Sequence, residues 1–435
     1  MLKRIRIKGY KSFKNLDVSL KNLSILFGPN ASGKSNFLDA MQLLSRIATS
    51  RTLKEAFDPP YRGKPIESFA LPEKGIKGLL EKESAKFEFE IEVELSESVI
   101  NSVNRQITEM RKGKDDKKSE DITAKKIVGV KEKFLLYRIA IEIFPRSGML
   151  RVADEYLAAL NPDGEINKKR KPFLEHVENR LHLRTEGQAH PTYYERYLDH
   201  AIISSSLYLP HFPHVAALRE ELSRWLFFYF EPRERMRSPN PVKEVRHIGL
   251  MGEELAAYLN TLRAIDDRQL QAIGKTLHLI VPQIEKLEVD VNELGEVELK
   301  LFEGEIPVSA RIISEGTLRI LGLLAISGAK ELPVLIGFEE PENGIHPRRI
   351  KMIADLLNNL TIENKTQLLV TTHSPTLLDV VDDKNLFVCR KTKEGTIIKP
   401  FEAWGNLARG KEIDQALNIE EFSISDRIMR GDFDA

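Results

Sequence analysis

The period of apolar positions changes several times along the chain, and each change predicts an element. Ile5 and Ile7 alternate with charged neighbours, the spacing of a strand with one buried face. Leu23-Ser24-Ile25-Leu26-Phe27 is almost wholly apolar, which predicts a strand buried on both faces. That run feeds into Gly28, and after Ser35 the residues Phe37, Leu38, Met41, Leu44 and Ile47 fall at helical spacing. The segment therefore reads strand, glycine-bearing loop, helix. Phe87, Phe89, Ile91, Val93 and Leu95 alternate with four glutamates, predicting a half-exposed antiparallel strand with Arg138 to Phe144 as its partner. Leu287 to Val291 and Val297 to Leu301 alternate on either side of Asn292 to Gly295, a hairpin pattern. From residue 311 the texture is α/β: a helix after Gly316, a strand Val334 to Phe338, a helix near Ile350 to Leu360 and a strand Gln367 to Thr371. Residues 150 to 280 read as mostly helical, and the charged run Arg111 to Asp121 as a loop.

Composition narrows the classes. The 435 residues suffice for two or three domains, and 65 Lys plus Arg balance 65 Asp plus Glu, so no net charge draws the chain to nucleic acid or membrane. The single cysteine, Cys389, excludes an internal disulfide framework and a multi-cysteine metal site. No run approaches the ~20 apolar residues of a membrane helix, and the first residues lack a signal peptide's apolar core. A cytoplasmic location with no membrane partner is the expectation.

Gly28-Pro29-Asn30-Ala31-Ser32-Gly33-Lys34-Ser35 matches the phosphate-loop pattern of Gly, four residues, Gly-Lys and Ser or Thr, in the strand-to-helix setting it requires. Glycines let backbone N–H groups turn toward phosphate oxygens, and the following helix points its positive end at them. Asn30, Ala31, Ser32, Gly33, Lys34, Ser35 and Asn36 are the expected phosphate cradle. Lys34 would reach the β- and γ-phosphates of ATP, and Ser35 would ligate Mg²⁺. The strand Val334 to Phe338 ends in Glu339-Glu340-Pro341-Glu342, which sets carboxylates at the C-terminal edge of a parallel sheet. Glu339 would hold Mg²⁺ through its waters, and Glu340 would act as general base on the attacking water. His373, after the strand Gln367 to Thr371, would contact the γ-phosphate or that water; the alternative is an ordinary loop histidine. Ser314-Glu315-Gly316-Thr317 opens a helix, so Ser314 is either its cap or, with Gly316, part of an anion site.

In this order the motifs resemble the ABC-class ATPase heads of the RecF, SMC and OLD-like group. Ile5 to Phe13 resembles that group's first strand and turn, Gly28 to Asn36 its Walker A motif, and Ser314 to Thr317 its signature. Glu339 and Glu340 fall at the end of Walker B, Asn343 to His346 at the D-loop and His373 at the H-loop. Four positions depart from the usual pattern. Glu315 and Thr317 alter the signature, Ala31 stands where many relatives carry glycine, and Glu339 replaces aspartate.

The resemblance implies an α/β fold, an ABC-type head with a mixed sheet and an antiparallel β lobe. It also implies slow or partner-stimulated hydrolysis of ATP, and two heads paired so that each signature completes the other's site. Lys34 and Glu340 are 306 residues apart yet must converge, so the expected organisation is a split core. Residues 1–95 and 306–435 would form the core, and residues 96–305 the rest of the β lobe and a mainly helical insertion. The resemblance further implies a homodimer or higher oligomer that controls a separate nuclease or toxin in anti-phage defence, with a RecF/SMC-like role in DNA repair or maintenance as the alternative. Less favoured are an OLD-like nuclease, whose Asp-x-Asp would fall on Asp432-Phe433-Asp434, and a scaffold that binds ATP without cleaving it. DNA contact would come from Lys168 to Lys171, or from Arg233, Arg235 and Arg237 beside the aromatic run Trp225 to Phe230; the plainer reading is solvated charge and a core aromatic run.

Overall fold

The computed structural model describes residues 1–115, 129–178, 180–186, 190–195, 197–329, 332–362 and 365–404. The described residues divide into two compact units, one within Met1–Lys21, Asn36–Trp225 and Lys391–Ile398, the other within Asn22–Ser35, Leu226–Arg390 and Lys399–Trp404.

The first unit is built on an eight-stranded sheet in the order Phe13–Ser19, Leu2–Tyr10, Ala85–Glu94, Phe134–Phe144, Met149–Ala159, Leu174–Val177, Arg180–Leu183 and Thr192–Glu195. Every neighbouring pair is antiparallel. The period-two pattern sets the register: Phe87, Phe89 and Ile91 lie opposite Ile141, Ile139 and Tyr137, as expected from the sequence. Their rings and aliphatic groups are buried, with Tyr10 edge-on to Phe87 and Phe89 at 5.4 and 5.2 Å.

The second unit carries the inner part of a six-stranded sheet that runs Trp225–Phe228, Leu335–Glu339, Gln367–Thr371, Leu23–Phe27, Leu386–Thr392 and Gly395–Pro400. The four inner strands are parallel, and Leu23–Phe27 is buried throughout, as its unbroken apolar run requires. The strand carrying Thr371 lies between the phosphate-loop strand and the carboxylate strand. Register puts Glu339 beside Thr371 and Thr371 beside Leu26, so three strands end together on one edge. A smaller sheet contains the expected hairpin, with Leu287, Val289 and Val291 opposite Leu301, Leu299 and Val297. One apolar core joins this unit, including Phe228, Phe230, Phe338, Leu318, Ile353 and Leu377.

The mostly helical reading of residues 150 to 280 needs correction. Helices occupy Pro213–Ser223, Leu255–Ile265 and Asp267–Ile280, but Met149–Ala159 and three short strands continue the antiparallel sheet. Met149–Ala159 holds three Ala, two Leu, a Met, an Arg and a Glu, good helix formers, and becomes a strand through its ladder with Phe134–Phe144. Residues 96–305 are also divided between the two units at Trp225 instead of forming one lobe. Arg111 to Asp115, expected in a loop, complete the helix Glu97–Asp115; residues 116–121 lie outside the described part, as does Asp432 to Asp434. Among the described residues, no helix is long and apolar enough to cross a membrane.

Candidate active site

The phosphate loop takes its shape from three backbone positions. Gly28 has φ 147°, and a Cβ there would sit 2.1 Å from the Cys389 carbonyl oxygen, so no larger residue fits. Gly33 has φ 108° and Ala31 φ 60°, the latter a left-handed conformation that disfavours a side chain. Ala31→Gly is therefore expected to raise unfolding free energy by about 0.5–1 kcal/mol, the left-handed penalty less glycine's extra unfolded-state entropy. Chemical denaturation checks it; a loss of stability would contradict the strain.

Lys34 is buried, and its Nζ donates to the Gly28 and Pro29 carbonyl oxygens at 2.8 and 3.0 Å. Burial lowers its pKa, opposed by Cys389, Glu340 and Glu339. The amine thus rests on the loop's own carbonyls, in reach of a phosphate group cradled there. The Ser35 hydroxyl donates to Glu339 Oε1. A hydroxyl beside a carboxylate is the hard oxygen donor set that Mg²⁺ takes alongside phosphate and water, so Ser35 and Glu339 fit the metal role expected of them. Asn30 and Ala31 are exposed, while Ser32 and Gly33 are buried. Asn36 belongs to the first unit, where its side-chain amide donates to Ser12 Oγ at 2.9 Å.

Glu340 follows the carboxylate strand with φ 49°, and its N–H donates to the Thr371 carbonyl at 2.9 Å. One carboxylate oxygen accepts from Asn343 Nδ2; the other lies 3.5 Å from His373 Nε2. Burial lowers the His373 pKa and Lys34 adds to the effect, against the pull of Glu340 and Glu339. The shift favours the neutral imidazole, which can accept or donate one proton. Lys34, Ser35, Glu339, Glu340 and His373 come together on one sheet edge, as the sequence reading expects.

Ser314 and Gly316 stand differently. Ser314 caps the helix Glu315–Ser327, accepting from Thr317 N at 3.2 Å. A Cβ on Gly316 would come 2.3 Å from the Gly344 carbonyl oxygen, so glycine is needed for the close approach of helix and loop. Arg319 fastens the same pair, donating to the Asn343 and Phe230 carbonyls at 2.7 and 3.0 Å. Among the described residues, no hydrogen bond joins Ser314 or Gly316 to the phosphate loop. Glu315 is paired with Arg233 at 2.5 Å.

Two family models match the chain in succession: "AAA ATPase domain" over residues 1–186, and "AAA domain, putative AbiEii toxin, Type IV TA system" over residues 216–379. Each holds one half of the motif set just described. Both matches are to AAA-type ATPase domains, and between them they hold the whole motif set. Solved structures similar to this ATPase include an SMC head bound to the C-terminal winged-helix domain of ScpA, 12% identical, covering 92% of this chain and 97% of that one, with a TM-score of 0.49. Another is the SMC head domain from Thermotoga maritima, 14% identical, covering 92% and 98%, TM-score 0.41. A third is an SMC head with an extended coiled coil, bound to the C-terminal domain of ScpA, from Pyrococcus furiosus, 10% identical, covering 96% and 99%, TM-score 0.47. No curated protein matches.

Sequence reasoning missed Cys389, Arg319 and the pairing of Arg233 with Glu315. The thiol of Cys389 donates to the Ser32 carbonyl at 3.4 Å beneath the loop, and burial pushes its pKa up to about 11. Only the apolar strand around Cys389 hinted at this, since the match to Gly28 depends on two distant strands becoming neighbours. Of the DNA candidates, Trp225, Phe228 and Phe230 are buried. Arg170 is bound to Glu132 and Glu186 at 2.9 and 2.6 Å, and Arg237 donates to the Ile313 carbonyl at 2.6 Å. These partners favour the structural reading; Lys168, Lys169 and Lys171 are exposed.

Proposed function

We propose that this ATPase binds ATP with Mg²⁺ and hydrolyses it as a switch between paired and separated heads. The observation that carries this is the meeting of Lys34, the Ser35–Glu339 pair and the Glu340–His373 pair on one sheet edge, although Lys34 and Glu340 stand 306 residues apart. Lys34 leaves the loop carbonyls for the β- and γ-phosphates and offsets their charge. Ser35 and Glu339 would hold Mg²⁺, which would supply charge neutralisation at the transferring phosphoryl group. Glu340 takes a proton from the attacking water, and neutral His373, beside it, steadies the water or the γ-phosphate. Water attacks the γ-phosphorus as the bond to the ADP oxygen breaks, giving ADP and phosphate.

Paired heads fit the placing of Ser314 and Gly316: among the described residues no hydrogen bond joins them to the phosphate loop of their own chain, and a helix end suits an anion, here a second copy's ATP. Control of a separate effector, a nuclease or toxin in anti-phage defence, draws support from the AbiEii wording of the matched family model and from the motif resemblance. Hydrolysis measured against protein concentration tests the paired state. The specific rate is expected to rise with concentration and to vanish with EDTA; a constant specific rate would contradict pairing, and hydrolysis without divalent metal would contradict the Mg²⁺ site.

A further inference from the structure

Glu342 has no part in the roles above, yet it is the most deeply buried acid of the carboxylate loop, 4% exposed. Thr372 Oγ1 donates to Glu342 Oε1, and the same hydroxyl accepts from Ser374 N at 2.9 Å. The second carboxylate oxygen, Oε2, is buried and meets no donor in hydrogen-bond geometry. Burial raises the carboxyl's pKa, and the Thr372 hydrogen bond opposes the rise. A group so placed opposes folding unless its contacts compensate, and an apolar residue would fill the space more cheaply.

What the carboxyl does is hold the residues on either side of His373. Thr372, fully buried, precedes the histidine; Ser374 follows it. With the Thr372 hydroxyl bound on both sides, the backbone through His373 has one course, and that course sets Nε2 3.5 Å from Glu340 Oε1. A second strut, from Glu340 N to the Thr371 carbonyl at 2.9 Å, ties the same two loops from the backbone. Between them the base and the histidine are fixed relative to each other.

We infer that Glu342 is a positioning residue for ATP hydrolysis, acting through Thr372 to hold His373 against Glu340. This rests on the ATPase reading above. Among the described residues no hydrogen bond or ion pair joins the Glu342 side chain to Gly28 to Ser35, so its loss is expected to separate turnover from binding. A displacement near 1 Å at a reacting group costs about 100-fold in rate.

The test is steady-state ATP hydrolysis and equilibrium ATP binding by the full chain carrying Glu342→Ala, Glu342→Gln or Thr372→Val. Glu342→Ala and Thr372→Val are expected to lower kcat about 10- to 100-fold, with KM and ATP affinity changed less than about twofold. Glu342→Gln keeps an acceptor oxygen at the same reach and is expected to restore most of the rate. If Glu342→Ala does not fold, Thr372→Val, which preserves side-chain shape, carries the measurement. Wild-type kcat in both Glu342→Ala and Thr372→Val would overturn the inference, as would parallel loss of binding and turnover in Glu342→Gln. Failure of the wild-type protein to hydrolyse ATP would instead overturn the ATPase reading, and the inference with it.

Discussion

Lys34→Ala is expected to weaken ATP binding by about 100-fold or more and to remove hydrolysis with it. The amine is buried and, among the described residues, hydrogen-bonds to the carbonyls of Gly28 and Pro29. Burial disfavours its charge, and a triphosphate offsets that cost: the incoming anion favours the protonated form and gains charge-assisted hydrogen bonds at low local dielectric. Without the amine, the phosphates meet backbone N–H groups and the helix end alone, and a buried anion that has lost its cation is worth several kcal/mol less. Titration calorimetry with ATP and Mg²⁺ gives the result directly. Thermal melting of the variant separates lost binding from lost folding. Binding at wild-type affinity would mean that the loop is a glycine turn without a phosphate ligand.

The second large effect is at Glu340. Glu340→Gln keeps the size of the side chain and an acceptor for Asn343, but it cannot take a proton from water. Turnover is expected to fall about 100- to 10,000-fold, the range for losing a general base, while ATP affinity stays at the wild-type level or rises. Because ATP then persists in the site, the paired state persists too. Light scattering should report twice the chain mass or more with ATP, and the single-chain mass without it. A Glu340→Gln protein that hydrolyses ATP at the wild-type rate would remove this residue from the base role and leave its neighbour Glu339 as the candidate.

Local chemistry made the phosphate loop, the carboxylate strand and the histidine strand readable in the sequence. Each is a short apolar run ending in residues of distinctive type, and the parallel register joined them on one edge. The alternating strand Ala85–Glu94 and its partner were equally readable, since a period of two fixes the buried face. Met149–Ala159 was not, because Ala, Leu and Glu favour helix and only the neighbouring strand makes them extended. Glu342 and Cys389 escaped for another reason. Nothing in Glu-Pro-Glu tells which carboxylate turns inward, and nothing near Cys389 reveals that its carbonyl leaves Gly28 no room for a Cβ. Both depend on contacts between segments far apart in the chain. The same holds for Arg233, whose partner Glu315 stands at a position that the signature resemblance alone would leave unpaired.

The central claim is that a phosphate loop near one end of the sequence and carboxylates 306 residues later form one hydrolytic ATP site. Measuring ATP binding and single-turnover hydrolysis on the same preparations of wild-type, Lys34→Ala and Glu340→Gln protein tests it most directly. The predicted result is binding and hydrolysis in the wild type, neither in Lys34→Ala, and binding without hydrolysis in Glu340→Gln. Hydrolysis by Glu340→Gln at the wild-type rate, or normal binding by Lys34→Ala, would contradict it.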